Sequence, residues 1–371
     1  MPGPAPIAVL PLLLAGCGPS AEPLDLPADP AATGVPVGVR AAAVDGLAVE
    51  ILYPAPDAAA EDPTEVLDLS AFVPAAVLDA LGDVDLPILP VPAVRDADLR
   101  LPEAPYPVLL FSHGFGGFPL QSATLTAHLA SRGYVVVAPE HPGRRLADLL
   151  PCLFSPPLDG CEIAFEDPAE EDLPAVLDAV DGWAAAEDGF LGGSLDTGLI
   201  GLFGHSAGGN STASVGTAEA RFGALVPMAA DAATGREVPT LYAGGTCDGT
   251  VVFSGTEAAW SASPGARLLA LEAAGHLAFS DLCALDLGAF AQAHLAGRED
   301  VHSTLLQALE ALATDGCPGY APPEGCGAGA FLGQDDADAI LRHYVTVHFD
   351  EALLGMGPGL EDGVHPAATL R

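Results

Sequence analysis

The sequence predicts an α/β fold: a doubly wound, mostly parallel sheet with helices on both faces and a helical C-terminal part. Three observations predict it. Continuous apolar runs such as Val108-Leu109-Leu110-Phe111 suit strands buried on both faces. These runs alternate with stretches of helical periodicity, among them Leu120–Arg132 and Glu171–Ala186. A strand, a helix and a strand also follow one another within about thirty residues after Pro107, the length of a βαβ unit.

In chain order, Val35–Ala42 and Leu47–Tyr53 read as short strands joined at Asp45-Gly46, a hairpin signal because both residues tolerate positive φ. Residues 54–106 are rich in Pro and Asp, with a helical patch at Val73–Leu81, and read as a surface excursion. After the βαβ unit, which closes with strand Tyr134–Ala138, come strand Leu199–Phe203 and a small-residue helix, Ser206–Val215. Further strands are Ala224–Met228, Thr240–Ala243 and Arg267–Leu271. Beyond Ser280 the periodicity is helical at Leu282–Leu295, Val301–Leu312 and Asp335–Leu354, interrupted by a Gly/Pro-rich loop at 315–333. Residues 36–355 therefore read as one domain with insertions near 54–106 and 281–333, followed by a tail at 356–371.

Charge narrows the function. Fifty acidic residues face twelve basic ones, all arginine, for a formal charge of −38. Nucleic acid and a polybasic membrane footprint both demand the opposite sign. The excess reads as solubility through self-repulsion.

The first residues read as an export leader. Pro6 to Ala15 is almost wholly apolar yet too short to span a bilayer, and Leu14-Ala15-Gly16-Cys17 follows. That tetrapeptide resembles a bacterial lipobox, in which the cysteine is lipidated. The expectation is a signal peptide at 1–16, lipidation at Cys17 and a flexible tether at 17–35, placing an exported protein on a membrane through its lipid anchor. An ordinary secretory signal is the alternative. Six cysteines remain: Cys152, Cys161, Cys247, Cys283, Cys317 and Cys326. Their even number suits disulfides in an oxidising compartment. Proximity favours Cys152–Cys161 and Cys317–Cys326, leaving Cys247 with Cys283. No Cys-x-x-Cys or His-x-His spacing supports zinc, and no cofactor is expected.

Chemistry concentrates in four places. Gly204-His205-Ser206-Ala207-Gly208 stands between an apolar strand and a helix, where a tight turn presents the serine hydroxyl above the sheet edge. The helix that follows aims its free N–H groups at an oxygen bound there. Phe111-Ser112-His113-Gly114-Phe115-Gly116-Gly117 ends the first long strand. A tetrahedral intermediate needs two donors for its oxyanion, and the amides of Phe115 and Ala207 are the candidates. Phe118 and Leu120 are candidate walls of an acyl pocket. The ring of Phe115 reads equally as packing.

A serine also needs a base, and the base an orienting acid. Asp248, after strand 240–243, is the candidate acid, with Asp231 as competitor; Asp196 reads as structural. His276, just past strand 267–271, is the candidate base. His113 and His205 read as loop buttresses, His141 as either a buttress or a pocket residue, and His343 and His348 as core or surface histidines.

These motifs together resemble a known family. Pro107-Val-Leu-Leu-Phe-Ser-His-Gly-Phe-Gly-Gly, Leu129-Ala-Ser-Arg-Gly-Tyr-Val-Val-Val-Ala-Pro-Glu-His, Gly-His-Ser-Ala-Gly-Gly and Gly-His-Leu-Ala-Phe-Ser-Asp look like the platelet-activating factor acetylhydrolase and dienelactone hydrolase-like branch of the α/β-hydrolases. The resemblance implies a metal-independent hydrolase of small-molecule or lipid carboxylic esters. It also implies a triad of Ser206, Asp248 and His276. Dienelactone hydrolases use a cysteine nucleophile where this chain has Ser206, which disfavours that activity. An amidase or acyltransferase with the same triad, and a non-catalytic binding protein on a hydrolase scaffold, are the competing readings. Because the base acts as neutral imidazole, activity is expected to fall towards acid pH.

Overall fold

The computed structural model describes residues 34–164, 166–285, 290, 293–295, 297–301, 331–357 and 359–371. The leader, Cys17, Cys317, Cys326 and the expected helix at 301–312 beyond its first residue lie outside the described residues.

The chain opens with β1 (Val37–Val44) and β2 (Leu47–Pro54), an antiparallel hairpin whose turn residues Asp45 and Gly46 have φ of 48° and 93°. The stretch read as a surface excursion is more than that. It forms β3 (Glu65–Asp68), α1 (Ala75–Leu81), β4 (Ile88–Val91) and β5 (Val94–Arg95). β3 and β4 pair with each other, and β5 joins the edge of the main sheet beside β1. Leu67, Leu69, Leu89, Val91 and Ala93 are buried in the main core. Isolated apolar residues among Pro and Asp carry no period, so their burial left no pattern to read.

The central strands follow: β6 (Tyr106–Ser112), α2 (Ala123–Ser131), β7 (Val135–Pro139), α3 (Leu146–Leu149), α4 (Ala169–Ala185), β8 (Leu195–His205), α5 (Ala207–Ala218), β9 (Phe222–Met228), β10 (Leu241–Gly245), α6 (Phe253–Ala262) and β11 (Arg267–Leu271). A long helix, α7 (Gln334–Phe349), precedes the last strand, β12 (Ala368–Leu370). The ten-stranded sheet runs β12-β11-β10-β9-β8-β6-β7-β2-β1-β5. β7, β6, β8, β9, β10 and β11 are mutually parallel, so their carboxyl ends share one rim. Asp196, expected ahead of its strand, lies inside β8 and accepts the amide of Gly198 at 2.9 Å.

Period-two geometry explains the apolar runs. Leu109 and Phe111 face one layer while Val108 and Leu110 face the other, and all four are fully buried. One layer is closed by α4 through Leu173, Val176, Leu177 and Val180, a three-and-four spacing. The opposite layer is closed by α7 through Ile340, Leu341, Tyr344, Val345 and Phe349. A Cβ on Gly201 of β8 would stand 2.6 Å from the Phe349 ring, so glycine lets α7 seat against the sheet.

Helix α7 also carries a pH-sensitive carboxyl. Burial first, then the charge of Asp281, raises Asp338 from 3.8 to about 7; the amide of Gln334 and the charge of Arg342 oppose the rise. Asp281 is itself raised to about 6 by burial, while accepting the amide of Thr124 at 2.7 Å. A raised native value favours the neutral acid, so this contribution is present below pH 4 and lost as pH rises to about 7. Asp338→Asn is accordingly expected to raise the melting temperature by about 2 °C at pH 8 and to leave it unchanged near pH 4. Thermal melts across that range check the sign.

Candidate active site

Three loops meet at the carboxyl rim of the sheet. The first turns from β8 into α5. Ser206 stands at the turn with φ 59° and ψ −120°, in the region that favours glycine, and its amide bonds the Met228 carbonyl at 2.9 Å. The flanking glycines are steric necessities. A Cβ on Gly208 would collide with the carbonyl of Ser112, and one on Gly204 with the carbonyl of Gly208. The strained turn is thus packed against the end of β6.

The second loop follows β10 and carries Asp248; the third follows β11 and carries His276. The Ser206 hydroxyl is 2.9 Å from His276 Nε2, and His276 Nδ1 is 2.8 Å from Asp248 Oδ2. A carboxylate only accepts, so Nδ1 carries the proton and Nε2 is the acceptor for the serine O–H. The second carboxylate oxygen, Oδ1, accepts the amides of Thr250 and Val251, both at 2.8 Å. Asp248 and His276 are buried, while Ser206 is partly exposed. The structure therefore brings the three residues into one hydrogen-bonded chain. Asp231 is not part of it: exposed, it accepts from Asn210 Nδ2 at 3.0 Å.

The loop after β6 supplies the opposite wall. Gly116 N–H donates to Arg144 O at 2.7 Å and Gly117 N–H to Gly114 O at 3.0 Å, whereas the Phe115 amide takes no part in these bonds. Ala207 is the first residue of α5, so its N–H has no acceptor within the helix. The Phe115 ring is 48% exposed, so it is not core packing. Phe118 and Leu120, read as pocket walls, are instead fully buried in the core, Phe118 stacking on Phe72 at 5.1 Å. Their step along the chain from Phe115 crosses from rim to interior.

The histidines next to the motifs act as struts. His205 Nε2 donates to the carbonyl of His276 at 2.9 Å, leaving Nδ1 to accept from Gln121 Nε2 at 3.1 Å. Gln121 Oε1 accepts the amide of Gly114 at 3.3 Å. One chain of neutral groups thus links the β6 loop, the serine turn and the His276 loop. Burial, then the charge of His276, lowers His205 to about 3, so it stays uncharged. His113 donates to Gly114 O at 2.8 Å and accepts the amide of His141 at 3.1 Å; burial and then Arg144 lower it to about 3. His141 is not a pocket residue. It is fully buried between Ser112 at 3.0 Å and Asp172 at 2.9 Å, and burial holds it far below its ordinary value. Sequence reasoning missed Gln121 and Arg144, since neither residue belongs to a motif.

Cys152 and Cys161 form a disulfide. Cys247, next to Asp248, and Cys283, just beyond the His276 loop, are also each disulfide-bonded.

Comparison with known proteins fits this geometry. Residues 65–147, which include the loop after β6, match the family model for platelet-activating factor acetylhydrolase, isoform II. The chain is similar in structure to a ferulic acid esterase from Streptomyces cinnamoneus, with a TM-score of 0.59 and 24% identity, covering 94% of this chain and 98% of that one. With its mostly parallel sheet and its strained serine turn, the chain has the α/β-hydrolase fold, and it is similar to platelet-activating factor acetylhydrolase over the segment that builds one wall of the site.

Proposed function

We propose that this protein is a serine hydrolase that cleaves carboxylic esters through an acyl-enzyme. The observation that carries the reading is the unbroken chain from Ser206 through His276 to Asp248 at the carboxyl rim. Ser206 attacks the ester carbonyl as its proton passes to His276 Nε2. Asp248 holds the imidazole in the tautomer that can accept. Negative charge developing on the carbonyl oxygen is met by the amides of Phe115 and Ala207. The imidazolium returns its proton to the departing alcohol, and water then attacks the acyl group by the same route in reverse. An ester substrate for the platelet-activating factor acetylhydrolase and for the ferulic acid esterase supports the same bond type here.

The proposal includes an exported, membrane-anchored location. It is supported by the leader-like residues up to Cys17 and by disulfides, which persist in oxidising compartments. The anchor we assign is a lipid on Cys17, in the lipobox-like Leu14-Ala15-Gly16-Cys17; among the described residues no helix is long and apolar enough to cross a membrane. Pairing of Cys247 with Cys283 would tie the acid loop to the base loop.

A fluorophosphonate probe tests the catalytic reading. We expect stoichiometric labelling at Ser206, located by peptide mass, and hydrolysis of nitrophenyl esters across a series of acyl lengths. A protein that binds such esters without turnover and without labelling would instead be a binding module. Turnover of anilides in preference to esters would make it an amidase.

A further inference from the structure

Behind the Phe115 loop lies a second Ser–His–Asp set. Ser112 Oγ is 3.0 Å from His141 Nε2, and His141 Nδ1 is 2.9 Å from Asp172 Oδ2. Chemically it repeats the first, but Ser112 and His141 are fully buried, where no ester reaches. Its hydroxyl is also fully engaged, donating to the imidazole while accepting from Arg144 Nη2 at 2.8 Å.

Arg144 is the centre of this cluster, a buried guanidinium whose two terminal nitrogens reach two different walls of the active site. Nη2 bonds Ser112 Oγ and, at 2.9 Å, the carbonyl of His113 at the base of the Phe115 loop. Nη1 bonds Asp167 Oδ1 at 2.6 Å and Ser211 Oγ at 2.7 Å. Ser211 lies on α5, one turn beyond Ala207, whose carbonyl its hydroxyl meets at 2.8 Å. The backbone repeats the clamp, since Arg144 O accepts Gly116 N–H and the Leu146 amide donates to Gly117 O at 2.9 Å.

We propose that Arg144 is a positioning residue that fixes the separation of the two amides facing the reacting oxygen, those of Phe115 and Ala207, by bracing the β6 loop against the nucleophile helix. This rests on the assignment of Ser206 as nucleophile. A planar fork with two parallel-reaching nitrogens spans the two walls, whereas a lysine ammonium is a single compact donor that cannot hold both. Donors aimed at an oxyanion act in the transition state more than in the ground state, so misplacing them lowers kcat and spares KM.

Arg144→Lys and Ser211→Ala separate this role from simple scaffolding. Active sites are first counted by fluorophosphonate titration, and kcat and KM are then expressed per titrated site. For Arg144→Lys we expect kcat to fall about ten- to a hundred-fold with KM within about threefold of wild type. Ser211→Ala keeps the Arg144–Asp167 ion pair while removing the hydroxyl that joins α5 to both Arg144 and Asp167, and we expect a kcat loss of about three- to tenfold, again without a change in KM. A kcat per titrated site within twofold of wild type for Arg144→Lys overturns the proposal, as does a loss confined to KM. If Arg144→Lys does not fold, Ser211→Ala decides by the same twofold criterion. A wild-type protein that does not titrate at Ser206 overturns the nucleophile assignment instead, so the two failures are distinguishable.

Discussion

Ser206→Ala is expected to reduce kcat/KM for a nitrophenyl ester by about 10⁴-fold or more, with an unchanged melting temperature. Removing the hydroxyl leaves His276 Nε2 without its 2.9 Å partner and leaves no atom to form the acyl-enzyme. Stability is spared because the backbone bond from the Ser206 amide to Met228 persists, and alanine adds no bulk to the strained turn. Ser112→Ala is the informative comparison, since that serine has a histidine and an aspartate in the same order. It is expected to lose less than about tenfold, the cost of loosening the Arg144 clamp rather than of losing a nucleophile. Steady-state kinetics with phosphonate titration of both variants checks the contrast. Equal losses from the two substitutions would show that hydroxyl position, not accessibility, had been misread.

The second large effect is expected at the acid. Asp248→Asn should lower kcat by about 10³- to 10⁴-fold, on the scale of the corresponding change in serine proteases, with little loss of fold. An asparagine oxygen can still accept the amides of Thr250 and Val251, so the loop stays in place. Its NH₂ then faces His276 Nδ1, which must become an acceptor, and the ring proton moves to Nε2. There it opposes the serine O–H instead of receiving it. Asp231→Asn touches only the exposed Asn210 contact and is expected to stay within about twofold. Comparable losses in both variants, measured on one ester, would remove Asp248 from its assigned place.

Much of this could be read from the chain because the chemistry sits beside patterned segments. The run from Val108 to Phe111 announced a doubly buried strand, and the glycines around Ser206 announced a turn that only small neighbours permit. Both signals are local. The parts that escaped are those whose partners lie far away in sequence. Leu67, Leu89 and Val91 enter the core from a Pro-rich stretch with no period, and β12 pairs with β11 through a three-residue match in the segment read as a tail. Gln121 is a polar residue at a helix entrance until His205, 84 positions later, is placed beside it. Phe118 and Leu120 follow the Phe115 loop closely and are candidate pocket walls by type, but chain proximity does not fix the side of a loop on which a residue falls, and both are buried.

The strut running from Gly114 through Gln121 and His205 to the carbonyl of His276 contains no ion. Amide, carboxamide and imidazole dipoles are indifferent to dissolved salt, and His205 stays unprotonated until acidity far beyond the mild range. A molecule carrying 38 excess negative charges thus ties its β6 loop, its serine turn and its His276 loop together through contacts that dissolved ions do not screen.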